Sequence, residues 1–295
     1  MLAIRLLLFL IPLLSYAANL SWIQILPSLS VGTSRPEVAL FPDANGVAIW
    51  TESGGTILKS SSFAAATKTW KTPVTLSTSA NPITQYDLSV SSNGFAMAVW
   101  IQPPMGDPAS SSTWASFYKS SDDSWTLIGE VNSSFIQASA PSNAFIGNNL
   151  STSVWVWGFG DIGFSPSAYS YFDLNAEMFI DTNFPSTLYN QLYPSVRGKT
   201  GSSNAIMLYL RSDFNDPTTS QVESVFIQPF SPPSNYTSIS AAGTDDIAPT
   251  FSMNLGAQGI CGWIQSGQIY VSYLTDFNNN TWAAPQLIAG PSGIT

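Results

Sequence analysis

Hydrophobic and polar positions follow a recurring order along the 295-residue chain. An alternating run comes first, as in Glu37 to Leu40 and Asp87 to Val90. A turn follows, with Asn45-Gly46 and Asn93-Gly94 as strong hairpin signals. Next comes an almost unbroken apolar run: Val47 to Trp50, Phe95 to Trp100, Val154 to Trp157, Ala205 to Leu210 and Ile260 to Trp263. Loss of alternation predicts a strand covered on both faces. A third run alternates again over Thr56 to Phe63, Thr113 to Tyr118 and Gln268 to Tyr273. The fourth opens on Trp70, Trp125 or Trp282, with an apolar residue six positions on at Leu76, Val131 or Ile288.

The order recurs five times. The segments read RPEVALFPDANGVAIW, QYDLSVSSNGFAMAVW, APSNAFIGNNLSTSVW, YPSVRGKTGSSNAIMLY and APTFSMNLGAQGICGW. Pro36 to Trp50, Tyr86 to Trp100, Pro141 to Trp155 and Pro249 to Trp263 each span 14 positions, and Pro194 to Tyr209 spans 15. Successive starts lie 50, 55, 53 and 55 residues apart. Such a period signals a repeat architecture. The fourth strand gives a second count. Trp125 and Trp282 are 157 apart, close to three repeats, with degenerate intermediates near residues 178 and 230. Trp22 lies 48 before Trp70, in a lone strand expected near residues 20–31.

No stretch longer than a turn shows capped helical periodicity. Four short strands in about 50 residues are too few for immunoglobulin-like units, which need about 100 residues and seven strands. They fit the blade of a radial propeller. The expectation is therefore an all-β propeller of about five four-stranded blades with an extra N-terminal strand. Units fall near 36–80, 86–135, 141–188, 194–240 and 249–290, within one domain over 18–295. The spare strand leaves closure open: an incomplete six-bladed ring is the alternative. An open ring exposes a sheet edge, so the chain is expected as a monomer or an edge-paired oligomer.

Composition narrows the function. Charged residues are 9% of the chain, against roughly 25% in ordinary soluble proteins. Net charge is −9 and the pI about 4.2, with no basic run. Nucleic-acid binding needs clustered Lys and Arg and is excluded. The absence of His removes its general acid–base chemistry and the commonest zinc ligand. Cys261, the lone Cys, sits in an apolar run and reads as a buried small hydrophobe. Met1 to Ala17 has a positive start, an apolar core and Ser15-Tyr16-Ala17 as a small-x-small cleavage site. It reads as a secretory leader too short for a stable transmembrane anchor. Five N-x-S/T sequons, at Asn19, Asn132, Asn149, Asn235 and Asn279, matter only in a glycosylating host.

The consensus P-x5–9-G-x3–5-W, I-x-x-S-x-F and T-W-x-x-P-x-x-L resembles the repeats of secreted bacterial propellers related to the sialidase or Asp-box superfamily. Thr69-Trp70-Lys71-Thr72-Pro73 and Thr281-Trp282-Ala283-Ala284-Pro285 carry it best. The resemblance spans nearly the whole chain beyond the leader. It implies an Asp box, S-x-D-x-G-x-T-W, in the turn before the fourth strand. Ser120-Ser121-Asp122-Asp123-Ser124-Trp125 is an echo of that box without its Gly, and Ser61 to Trp70 also lacks the Asp.

A sialidase site would further imply three arginines on a substrate carboxylate. Beyond the leader the chain has three, Arg35, Arg197 and Arg211, without the F/Y-R-I-P context. Glycoside hydrolysis generally needs two carboxylates flanking the scissile bond. Glu52, Asp107 and Asp161 occupy equivalent loops at one end of the repeat. Asp213 to Asp216 and Asp276 to Asn280 alternate oxygen ligands but lack the Gly and distal Glu of a calcium loop, and read as hairpin turns. Most Trp residues are locked to the repeat as core. Trp114, Tyr169, Tyr171, Tyr189 and Tyr236 are off-register and are expected at the surface, as is a specialised face between Trp157 and Pro194. No catalytic or metal residue is assigned, no cofactor is expected, and the ligand-binding residues stay open. The leading expectation is a non-catalytic secreted propeller that binds a protein or glycan. A sialidase-like hydrolase and a truncated copy of a longer propeller are the alternatives.

Overall fold

The computed structural model describes residues 35–83, 85–103, 110–131, 137–146, 150–158, 167–183, 189–199, 201–213, 220–241, 246–254 and 256–289. These residues form five antiparallel sheets and no α-helix. The first contains β1 (Glu37–Leu40), β2 (Gly46–Glu52), β3 (Ile57–Ala64), β4 (Thr69–Trp70) and β5 (Val74–Thr78). The second contains β6 (Tyr86–Val90), β7 (Phe95–Gln102), β8 (Ser112–Lys119) and β9 (Ser124–Glu130). The third contains β10 (Gln137–Ile146), β11 (Leu150–Gly158), β12 (Ser167–Asp173) and β13 (Met178–Asn183). The fourth contains β14 (Tyr189–Gly198), β15 (Ala205–Asp213), β16 (Ser220–Gln228) and β17 (Ser231–Ser238). The fifth contains β18 (Asp246–Met253), β19 (Gly259–Gln265), β20 (Gln268–Asp276), β21 (Thr281–Trp282) and β22 (Gln286–Ala289). In each sheet neighbouring strands are neighbours in sequence, and the fourth strand of the first and fifth sheets is split by Pro73 or Pro285. The chain is a multi-blade β-propeller, as its repeat predicts.

Apolar packing between blades explains the unbroken second strands. Val47, Ile49 and Leu58 of the first sheet pack on Ala96, Ala98 and Trp100 of the second. Met97, Val99 and Phe117 pack on Phe145 and Phe172 of the third. Tyr169 and Tyr171 meet Val196, Met207 and Tyr209 of the fourth. Ile206, Leu208 and Phe226 meet Phe251, Cys261 and Trp263 of the fifth. A second strand is thus buried on both sides because each side faces a different neighbour. Among the described residues no apolar cluster joins the fifth sheet to the first.

The inner strands of the last three blades begin earlier than the prolines suggest. Pro141, Pro194 and Pro249 lie inside β10, β14 and β18, each at a register shift. Proline has no N–H for the ladder, so it is tolerated at a bulge and the strand resumes beyond it. Ala140 and Tyr193, just before two of them, take φ of 49° and 53°. These prolines therefore mark bulges inside the strands and not strand starts.

The turn before each fourth strand carries a second repeated device. Lys68, Asp123, Glu177, Phe230 and Asn280 all adopt left-handed backbone, with φ between 48° and 58°. Three of them reach back to the preceding blade. Asp123 accepts from Ser62 at 2.7 Å and Lys71 at 2.6 Å. Glu177 accepts from Lys119 at 2.6 Å. Asn280, fully buried, accepts from Ser224 at 2.9 Å and donates to the Asn235 carbonyl at 2.6 Å. Asp123 is therefore an inter-blade clasp.

Burial alone would raise the Asp123 carboxyl, but hydrogen bonds from Lys71, Tyr118 and Ser62 hold it below the usual aspartate value. A depressed folded-state pKa adds stability above the unfolded value, near 3.9, and that stability fades as pH falls through the folded value. Melting temperature measured from pH 6 to pH 2 is expected to fall, and Asp123→Asn is expected to flatten the acid part of that fall. An unchanged acid limb in the variant would rule the clasp out as its source.

Candidate functional site

The innermost strands converge on a cavity of about 270 Å³. Its lining comes from four blades and includes Asp87 and Ser89 of β6, Asn143 of β10, Arg197 of β14 and Asn254 just after β18. The position after each repeat start is polar in every unit, Glu37, Asp87, Ser142, Ser195 and Thr250, and of these Asp87 lines the cavity.

Hydrogen bonds fix the cavity wall. Asp87 Oδ2 accepts from the Asn143 backbone N–H at 2.7 Å and from the Ser142 hydroxyl at 3.1 Å. The Ser142 oxygen in turn accepts from the Val196 N–H at 3.3 Å. One chain of bonds thus links the second, third and fourth blades beside the cavity. Arg197 Nη1 donates to the Val196 carbonyl at 2.6 Å. Ser89 donates to Asn143 Oδ1. Asn143 is 1% exposed, yet its side-chain Nδ2 has no hydrogen-bond partner. A buried amide donor without an acceptor is costly. Asn143 is also one of the residues that line the cavity.

Glu37 adds a second carboxyl beside the axis. Burial and the charge of Asp87 raise its pKa, and Arg35 and Arg197 only partly offset them. Glu37 therefore holds its proton more tightly than an ordinary glutamate, and Asp87 accepts two hydrogen bonds from the third blade. Asp87 lines the cavity, and Glu37 lies close enough to feel its charge. The same pairing is the starting point for general acid–base chemistry.

Gly198 sets the width of this wall. A Cβ there would sit 2.0 Å from the Phe145 carbonyl oxygen. Gly198→Ala is therefore expected to push β14 off β10, deform the cavity and lower the melting temperature by several degrees in calorimetry. An unchanged melting temperature would show that the approach is not needed.

The structure redistributes the residues singled out in the sequence. Arg35 and Arg197 both act on Glu37, but Arg211 pairs with Glu223 at 2.8 Å on β15 and β16, outside the cavity lining. Glu52 accepts from the Trp50 indole at 3.0 Å and pairs with Lys59 at 3.2 Å, a local role away from the cavity. Asp107, Asp161 and the lone strand at 20–31 lie outside the described residues, as does most of Asp213 to Asp216. Asp276 caps its own turn through Asn278 and Asn279. Among the described residues no three His, Cys, Asp or Glu side chains gather as a metal site.

Tyr169 and Tyr171 correct the aromatic expectation. Both are fully buried, their rings edge to face at 5.7 Å, in the seam between the third and fourth blades. They looked off-register because the third unit lacks the Trp that marks its fourth strand. Trp114 packs against the cluster between the first two blades and is no surface platform either. Tyr236 is exposed, and the Tyr189 side chain lies outside the described residues. Cys261 is buried, and burial pushes its thiol up to about 12, which leaves it an inert hydrophobe at neutral pH.

Fold and cavity together define a β-propeller with an axial cavity of mixed polar and apolar lining. Among solved structures the chain is similar to an α-L-arabinanase of Penicillium chrysogenum complexed with arabinobiose, at 15% identity and a TM-score of 0.50, over 81% of this chain and 77% of that one. It is also similar to an α-L-arabinofuranosidase of Fusarium graminearum bound to an iminosugar inhibitor, at 10% identity and a TM-score of 0.53, over 88% and 82%. Identities this low establish the fold alone. No family model and no curated protein matches the sequence. Among the described residues no helix is long and apolar enough to cross a membrane.

Proposed function

We propose that this is a secreted propeller whose axial cavity binds a carbohydrate. The observation that carries the reading is the buried, unpartnered Asn143 amide in a cavity shared by Asp87, Arg197 and Ser89. A sugar presents several hydroxyls that both donate and accept, which suits such a lining. The leader-like Met1 to Ala17 supports export, and the repeat wording around Trp70 and Trp282 supports kinship with sialidase-type propellers. Because two similar propellers carry pentose-derived names, arabinobiose and longer arabinan fragments are the first probes, followed by a broad glycan array. Binding above background that is lost in Arg197→Met supports the reading. No binding across the array contradicts it.

A second reading rests on the Glu37–Asp87 pair. The raised Glu37 and the hydrogen-bonded Asp87 would serve as acid and base in glycoside hydrolysis. Turnover of a panel of nitrophenyl glycosides, lost in Glu37→Gln with binding retained, would establish it. Binding without turnover leaves the protein a lectin-like module.

A further inference from the structure

The chain has two Asn-Gly pairs, Asn45-Gly46 and Asn93-Gly94, in the first hairpins of the first two blades. Such a pair is chemically special. Glycine has no side chain to shield its amide nitrogen, and its backbone reaches dihedrals that bring that nitrogen onto the Asn side-chain carbonyl carbon. The fold treats the two pairs differently. Asn45 is half-buried and held at both ends of its amide: Oδ1 accepts from the Ala65 N–H at 2.9 Å, and Nδ2 donates to Asp43 Oδ2 at 2.7 Å. Its carbonyl accepts from the Phe41 N–H at 2.8 Å, and Gly46 is buried, paired with Leu40 on one side and Phe63 on the other. Asn93 is exposed, and its Oδ1 takes only a long contact from Ser92 at 3.5 Å. Gly94 lies outside both ladders of its sheet, at a φ of 82°. Its carbonyl accepts from the Ser120 N–H at 2.8 Å, but among the described residues nothing accepts from its own N–H.

We propose that Asn93 is a site of spontaneous deamidation in the folded protein and that Asn45 is protected from it. The Gly94 nitrogen gives its proton to base and bonds to Asn93 Cγ. The Cγ–Nδ2 bond breaks, and Nδ2 takes a proton from water and leaves as ammonia. Water then adds to the cyclic imide. Opening at Cγ gives aspartate, and opening at the backbone carbonyl gives isoaspartate, whose chain runs on through the side chain. Nothing is oxidised or reduced, and water is the co-reactant. The position gives the modification a consequence. Ser91 and Ser92, just before Asn93, line the axial cavity. Either product adds a negative charge beside them. Isoaspartate also lengthens the turn, which disturbs the Ser91 hydroxyl that accepts from the Asn93 and Phe95 N–H groups at 3.2 and 3.0 Å.

The test is peptide mapping by mass spectrometry after the folded protein has stood in mildly alkaline buffer, made in heavy-oxygen water so that each opened imide carries the label. The expected result is conversion at Asn93 at least about tenfold faster than at Asn45. A tenfold rate difference corresponds to about 1.4 kcal/mol of barrier, within reach of the two side-chain hydrogen bonds that Asn45 must break. In urea, where both hairpins are open, the two rates should converge. Equal rates in the folded protein overturn the proposal. A difference that persists in urea also overturns it, because the cause would then lie in the local sequence. Asp43→Ala, an exposed change that removes one acceptor from Asn45, should speed conversion there; an unmoved Asn45 rate would count equally against the proposal. The outcome does not depend on what the cavity binds.

Discussion

Trp100→Ala is expected to destabilise the protein by about 3–5 kcal/mol. Trp100 is fully buried between the first two blades, against Ile49, Leu58, Leu76 and Ile83. Its indole N–H donates to Gln102 Oε1 at 2.8 Å, and the same oxygen accepts from Ser77 of the first blade at 2.6 Å. The ring thus fills the seam and also orients the amide that ties the blades together. Alanine leaves a void lined by apolar side chains that four strands of ladder keep from collapsing. Domains of ordinary stability have about 5–15 kcal/mol in total, so the variant should lose a large share of it. Urea unfolding should show a lower midpoint at an unchanged slope. Trp100→Phe, which keeps most of the volume, should lose much less. A midpoint unmoved by the alanine change would mean that the seam contributes little to stability.

Asp87→Ala should have the second largest effect, and on two properties at once. The carboxylate accepts from both Ser142 and the Asn143 N–H, which hold β10 against β6. Hydrogen bonds to a charged group contribute about 1.5–3 kcal/mol each. The Ser142 oxygen also accepts from Val196, so the loss should spread to the fourth blade. Carbohydrate binding should become undetectable, since the wall that presents Asn143 and Arg197 is displaced. Asp87→Asn keeps an acceptor at the same place and should restore most of the stability. Glu37 then loses the charge that helps raise its pKa, so the pH dependence of binding should move toward lower pH. Equal stability of the alanine variant and the wild type would contradict the structural half of this expectation.

Much of the fold was legible because propeller blades write their geometry locally. A Trp after a polar turn, an Asn-Gly hairpin and an apolar second strand each depend on residues within a few positions. Even the degenerate fourth strands near 178 and 230 coincide with β13 and β17. The axial site was less legible, because it is assembled from single residues about 50 apart that meet only when the sheets turn about a centre. The polar position after each repeat start was a partial clue, since it includes Asp87, the one of the five that lines the cavity. The loop acid Glu52, which the sequence makes prominent, forms a local pair with Lys59. Tyr169 and Tyr171 were misread because burial in this fold depends on which neighbour faces a strand, and the third unit hides its own register.

The most direct test of the axial site is calorimetric titration of the best-binding glycan into the wild type and Asn143→Ala, at matched melting temperature. Loss of one hydrogen bond of about 1–1.5 kcal/mol corresponds to roughly a tenfold weaker affinity, and that weakening is the predicted result. Equal affinity in the two proteins would place the carbohydrate elsewhere and contradict the account.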